Sequence, residues 1–163
     1  MSTATRSSLL VVLLMAAALA RDPFIEVTGV KVVDFPDPVS AEYDGPADLR
    51  VEVIDGVARA ILSNPGDEPI YYLVESRGQT PPPPGFLYIE PRTVRGEPLN
   101  GPVTCGGTRV YGQACLGAER SLTVKLFSRP WDKPPPSRIE VIVWQDGVAR
   151  RLRSAPFTVD PER

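Results

Sequence analysis

From residue 24 onward, apolar and polar positions alternate with a period of two, and no stretch keeps a 3.6-residue period for three turns. The pattern predicts extended segments throughout. Phe24–Phe35 is the first, bounded by Pro36 and Pro38. Leu49–Ile54 places Leu49, Val51 and Val53 on one face, and Val57–Ser63 follows after only Asp55-Gly56. Ile70–Glu75, Gly85–Glu90 (closed by Pro91) and a short segment at Thr108–Gly112 come next. Ser121–Ser128 turns Leu122, Val124 and Leu126 inward, and Arg138–Trp144 does the same with Ile139, Val141 and Val143. Val148–Arg153 and Ala155–Val159 complete the series.

The punctuation supports this reading. Asp-Gly between two alternating runs predicts a two-residue hairpin, because both residues tolerate the positive φ of a type I′ turn. The pentapeptide Asp-Gly-Val-Ala-Arg occurs at 55–59 and again at 146–150, each time at an expected turn. Recurrent turn chemistry accounts for it better than duplication. Pro81–Pro84 is expected to be polyproline II, since proline donates no ladder hydrogen bond. Eight to ten short strands, 19 prolines and no helical pattern predict an all-β domain, an immunoglobulin-like antiparallel β-sandwich, with a small β-barrel as the alternative.

Ahead of that domain, residues 1–20 have the layout of a secretory signal peptide. Arg6 is the one charge, Leu9–Ala17 is apolar, and Ala18-Leu19-Ala20 offers small residues for cleavage after Ala20. Leu9–Ala20 falls short of the ~20 residues that span a bilayer, so no stable membrane span is expected after processing. The expected mature domain is residues 21–163, secreted or periplasmic, and long enough for one core. The whole chain carries a net charge of −2, and without Arg6 the domain sits at −3. That balance disfavours nucleic acid as a partner. There is no histidine, which removes Ser-His-Asp and Cys-His catalysis altogether. In an oxidising compartment Cys105 and Cys115 are expected to form a local disulfide. Their spacing is too wide for a Cys-x-x-Cys redox pair.

Three kinds of candidate site stand out. Asp34, Asp37, Glu42, Asp44 and Asp48 make the 34–48 segment an acidic loop, read as solvated, with calcium as the alternative use of its carboxylates. A pair of acids facing each other could run glycosidase chemistry, but the sequence does not place any two across a cleft. Tyr71, Tyr72, Phe86, Tyr88, Trp131 and Trp144 could form a sugar-stacking platform, with Tyr71 and Tyr72 on opposite faces of one strand. Trp131 sits between Arg129-Pro130 and Pro134–Pro136, on a stiffened loop suited to an anchoring role or folded back as a lid.

Two resemblances bear on these residues. Val57–Val124, with Ser63-Asn64, Glu68-Pro69-Ile70-Tyr71-Tyr72, Cys105-Gly106 and Leu122-Thr123-Val124, resembles uncharacterised exported bacterial proteins with an immunoglobulin-like fold. That resemblance implies the fold and no activity. Asn64-Pro65, Gly106-Gly107 and Arg129-Pro130-Trp131 are similar, in order, to the three loops that chagasin-like inhibitors insert into papain-type cysteine proteases. Here Gly66-Asp67-Glu68 replaces the Thr-Thr-Gly of that family.

The residues together predict a non-catalytic binding or accessory domain with no cofactor, acting on an extracytoplasmic protein. Its expected contact surface carries Asn64, Pro65, Gly106, Gly107, Arg129, Pro130 and Trp131 beside the 105–115 bridge. The alternatives are a chagasin-like protease inhibitor and a calcium- or carbohydrate-binding module.

Overall fold

A computed structural model describes residues 29–158 except 56, 94, 99–107 and 127–136. The expected leader, the part of Phe24–Phe35 before residue 29, and Val159 lie outside the described residues. Among the described residues nine strands follow one another: β1 (Lys31–Val33), β2 (Asp48–Ile54), β3 (Val57–Asn64), β4 (Ile70–Arg77), β5 (Glu90–Arg92), β6 (Arg109–Leu116), β7 (Arg120–Lys125), β8 (Arg138–Gln145) and β9 (Val148–Arg153). They form two antiparallel sheets, neither closed on itself, so the molecule is a β-sandwich and not a barrel.

One sheet has the order β2-β3-β7. The other runs β1-β6-β4-β8, with β9 along one edge of β8 and β5 sharing the opposite edge with β4. β2, β3 and β7 take the places of immunoglobulin strands A, B and E, and β4, β8 and β9 those of C, F and G. β6 lies beside C, as C′ does in variable-type domains. In the ladder β4 pairs with β8 at Tyr71↔Trp144 and Tyr72↔Val143. Beyond that point the two diverge, and the 86–92 segment enters between them: Leu87 pairs with Val74, Tyr88 N–H donates to Leu73 O, and β5 then pairs with β8.

The alternation read from the sequence sets the inner faces. Leu49, Ala60 and Leu62 of one sheet meet Ile70, Tyr72, Val74, Ile139, Val141 and Val143 of the other. Val53, expected inward, is exposed, because β2 runs past the edge of the core before its hairpin. Both Asp-Gly repeats do turn hairpins, with Ile54 paired to Val57 and Gln145 to Val148. Asp146 and Gly147 both have positive φ (52° and 77°), as a type I′ turn requires, and Asp55 has φ 52°.

Three expectations are corrected. β6 is a full eight-residue strand reaching Leu116, longer than the expected Thr108–Gly112 segment. Gly112 sits at its middle because a Cβ there would come within 2.3 Å of Val30 Cγ1 and 3.1 Å of Val74 Cγ2. Pro91 lies inside β5 and does not close it, its residue paired with Ile139. Residues 155–158 form no strand, although Phe157 N–H donates to Ser137 O.

The acidic 34–48 loop has a structural task. From β1, at one edge of the larger sheet, it crosses that sheet's outer face to the opposite edge. There Val39 N–H donates to Ala149 O, and Tyr43 N–H to Arg151 O. On the way Phe35 packs edge-on against Tyr88 and Tyr111, with ring centroids 5.4 and 5.0 Å apart. These rings, with Val33 and Trp144, cover a second apolar layer of Leu73, Ile142 and Ala149. Among the described residues no helix is long and apolar enough to cross a membrane.

Candidate functional site

Asn64 closes one end of the sandwich. It is 1% exposed, and its amide is fully used. Nδ2 donates to Glu68 O (2.8 Å), Gly117 O (3.0 Å) and Leu116 O (3.3 Å), while Oδ1 accepts from Gly66 N–H (3.2 Å). The side chain thus ties the β3–β4 loop to the β6–β7 turn. Asn64 is a structural pin, closed to any partner, whereas Pro65 beside it is exposed.

The other expected contact residues, Gly106, Gly107, Arg129, Pro130 and Trp131, lie outside the described residues. The described residues on either side of them are at the far end of the fold. Asn64 is paired with Arg120 at the start of β7, while Leu126, which follows β7, donates its N–H to Ala58 O. Ser137 precedes β8 at that same far end, and Thr108 accepts there from Gly78 N–H. Six residue steps along β7 from Arg120 to Leu126 amount to about 20 Å.

Of the expected 105–115 bridge, one cysteine lies among the described residues. Cys115 is a half-buried free thiol in β6, and burial raises its pKa above the usual thiol value. Cys105 lies outside the described residues.

The end that carries Leu126 and Ser137 holds a groove of about 710 Å³. It opens between β7 on one sheet and the 85–91 segment on the other. Phe86, Leu87, Ile89, Pro91, Val124 and Leu126 supply its apolar walls. Phe86 is 52% exposed at the mouth, while Tyr72 helps fix the wall by donating its hydroxyl to Pro84 O (2.8 Å). Burial is the main reason the Tyr72 hydroxyl pKa is pushed up to about 12. Among the described residues β7 is the edge of its sheet, bonded to β3 alone. Because Leu126 bonds inward to Ala58, the alternation of an antiparallel ladder turns the N–H and C=O of Thr123 and Lys125 outward, beside the groove.

On the outer face of β5, β8 and β9 lies a network of charges absent from the sequence reading. Glu140, 2% exposed, accepts from Arg153 Nε at Oε1 (2.6 Å), and its Oε2 lies 2.8 Å from Arg92 Nη2 and 3.3 Å from Arg151 Nη1. Glu90 Oε2 pairs with Arg92 and with Arg151 (2.7 Å), and its Oε1 accepts from the Tyr88 hydroxyl (2.8 Å). Arg153 reaches on to Glu42 in the crossing segment (2.7 Å). A signal was present in the sequence: Glu90/Arg92, Arg138/Glu140 and Arg151/Arg153 each repeat at two-residue spacing, hence on one face of a strand. What joins them is strand order, which alternation does not encode.

Burial alone would raise the Glu90 pKa. The Tyr88 hydrogen bond and the Arg151 and Arg92 charges outweigh it and hold the carboxyl below its usual value of 4.5. The native state therefore binds fewer protons at Glu90 than the unfolded chain does. Its contribution to stability is complete above the ordinary carboxylate range and is lost as pH falls through the depressed native value. Glu90→Gln should flatten the acid limb of a stability–pH curve below about pH 4.5. Urea midpoints from pH 3 to 7 measure this, and parallel curves for the two proteins would refute it.

Both converging carboxylates are thus held by arginine side chains. Among the described residues, no three His, Cys, Asp or Glu side chains group closely enough to hold a metal. Tyr71, 44% exposed, and Tyr72, buried, do face opposite sides of β4; Trp144 packs in the second apolar layer, and Trp131 lies outside the described residues. No family model, curated protein or solved structure matches this chain.

Proposed function

We propose that the chain is a non-catalytic binding domain that works outside the cytosol. On this reading it takes an extended, partly apolar segment of another extracytoplasmic protein along the open edge of β7. The observation that carries the reading is the coincidence of an unpaired strand edge with an apolar groove. Strand addition uses just this combination: main-chain hydrogen bonds supply affinity, and pockets for alternate side chains supply selectivity. The leader-like residues 1–20 and the lack of any histidine support an exported, non-catalytic role. The Glu90 and Glu140 ion pairs do so too, since they occupy the carboxylates that hydrolysis would need.

The test is selection of displayed random peptides on residues 21–163. Enriched peptides should alternate apolar and polar residues and compete with one another. Thr123→Pro removes one outward-facing N–H and spares the β3 ladder, so the fold should persist while peptide affinity falls by about tenfold or more. Selection of unpatterned peptides, or unchanged affinity in a folded Thr123→Pro protein, would reject the reading.

A further inference from the structure

A second cavity, of about 190 Å³, lies on the outer face of the larger sheet, lined by Arg92, Arg95, Gly96, Arg138, Glu140 and Arg153. Four guanidinium groups and one carboxylate surround it. The carboxylate is already committed, since both Glu140 oxygens lie against Arg92, Arg151 and Arg153. Arg95 and Arg138 have no ion pair among the described residues. Counting outward to every group in the network, five arginines (92, 95, 138, 151, 153) face three carboxylates (Glu42, Glu90, Glu140). A chain of net charge −2 thus concentrates positive charge around one small hollow.

Hydrogen bonds among described residues shape one rim of the hollow. β5 runs into a tight turn in which Thr93 N–H donates to Glu97 O, Gly96 N–H to Thr93 O, and Glu97 N–H to Thr93 Oγ1. Gly96 takes a φ of +82°, which favours glycine, and this turn holds Arg95 over the cavity. Glu97, on the same turn, is not among the lining residues.

A second observation concerns two of the lining residues. The Nε–H groups of Arg92 and Arg138 are buried with no hydrogen-bond partner among the described residues, as is that of Arg150, which does not line the cavity. A buried donor left unmade costs ~1–3 kcal/mol, more when charged, so native proteins rarely keep one without a counterpart. A guanidinium's planar fork is matched by two oxygens of a carboxylate, phosphate or sulfate.

We propose that this cavity binds a small oxyanion, with Arg95 and Arg138 as its principal ligands and Arg92 and Arg153 as supports. The proposal is independent of the β7 groove, which lies on the other side of β5 and β8. Melting curves of the full domain, at constant ionic strength with chloride replaced in turn by phosphate, sulfate or citrate, test it. Arg95→Gln and Arg138→Gln are compared with Arg120→Gln, a charge-matched change at the far end of β7. Wild type and Arg120→Gln should gain about 4 °C near tenfold excess over the dissociation constant. That gain is measured beyond the general salting effect of these ions. Arg138→Gln and Arg95→Gln should lose most of it. If Arg138→Gln does not fold, the exposed Arg95 decides alone. Preference for phosphate or sulfate identifies a tetrahedral ligand, and preference for citrate identifies a carboxylate. Equal shifts in all four proteins, or no shift with any anion, would overturn the proposal.

Discussion

Glu140→Ala lowers the stability of this domain by about 4 kcal/mol, or about 12 °C in melting temperature, the largest loss expected of any single substitution here. The reason is the company Glu140 keeps. It is buried, and three guanidinium groups are neutralised against its two oxygens. Removing it leaves three positive charges facing one another with only Glu90 and Glu42 nearby. Glu140→Gln keeps the shape but presents an NH₂ to the arginines, and should lose nearly as much. Replacing Glu140 together with Arg92, Arg151 and Arg153 by apolar residues should cost far less than Glu140→Ala, because desolvation of the ions is then also removed. Urea denaturation measures all three. A loss below 1 kcal/mol for Glu140→Ala would mean that the network behaves as a solvated surface pair.

Asn64→Asp should cost about 3 kcal/mol, and Asn64→Ala about 2 kcal/mol. The order of the two is the informative part. Alanine leaves the Glu68, Leu116 and Gly117 carbonyls without their donor. Aspartate adds a negative charge aimed at those same oxygens, and so should be the worse of the two at neutral pH. The gap should narrow once the aspartate is protonated at low pH. Equal losses at pH 7 would show that the carbonyls find other donors. Either substitution should free the β3–β4 loop from the β6–β7 turn, readable as faster amide exchange at Gly66 and Glu119, whose N–H donates to Gly66 O.

The sandwich was legible because its signals are local. Asp-Gly at 55–56 and 146–147 marks both hairpins, and the inward parity of 122–126 and 139–143 is read directly from alternation. The second apolar layer was half legible. Ile70–Val74 and Val141–Trp144 are nearly continuous apolar runs, the signature of a strand covered on both faces, but nothing in them names the cover. Val33, Tyr88, Tyr111 and Trp144 supply that cover, and the 34–43 segment, whose acidic composition reads as solvent-facing, lies against it through Phe35 and the backbone of Val39 and Tyr43. β6 was misjudged because Gly112 and Cys115 look like loop residues. Close approach of Val30 and Val74, a tertiary fact, is what selects the glycine. The arginine network depends on β5 reaching β8, an insertion between strands that no periodicity announces.

The crossing segment also governs when the molecule can be finished. Val39 and Tyr43 lie more than a hundred positions before the β9 residues whose carbonyls they engage, Ala149 and Arg151. Contacts of such long sequence separation raise contact order and slow the closing steps of folding. A chain emerging amino end first from a ribosome or a translocation pore therefore has no docking edge for this belt until Arg151 has appeared. Docking of this belt, and with it the covered outer face of the larger sheet, is therefore postponed until β9 has taken its place beside β8.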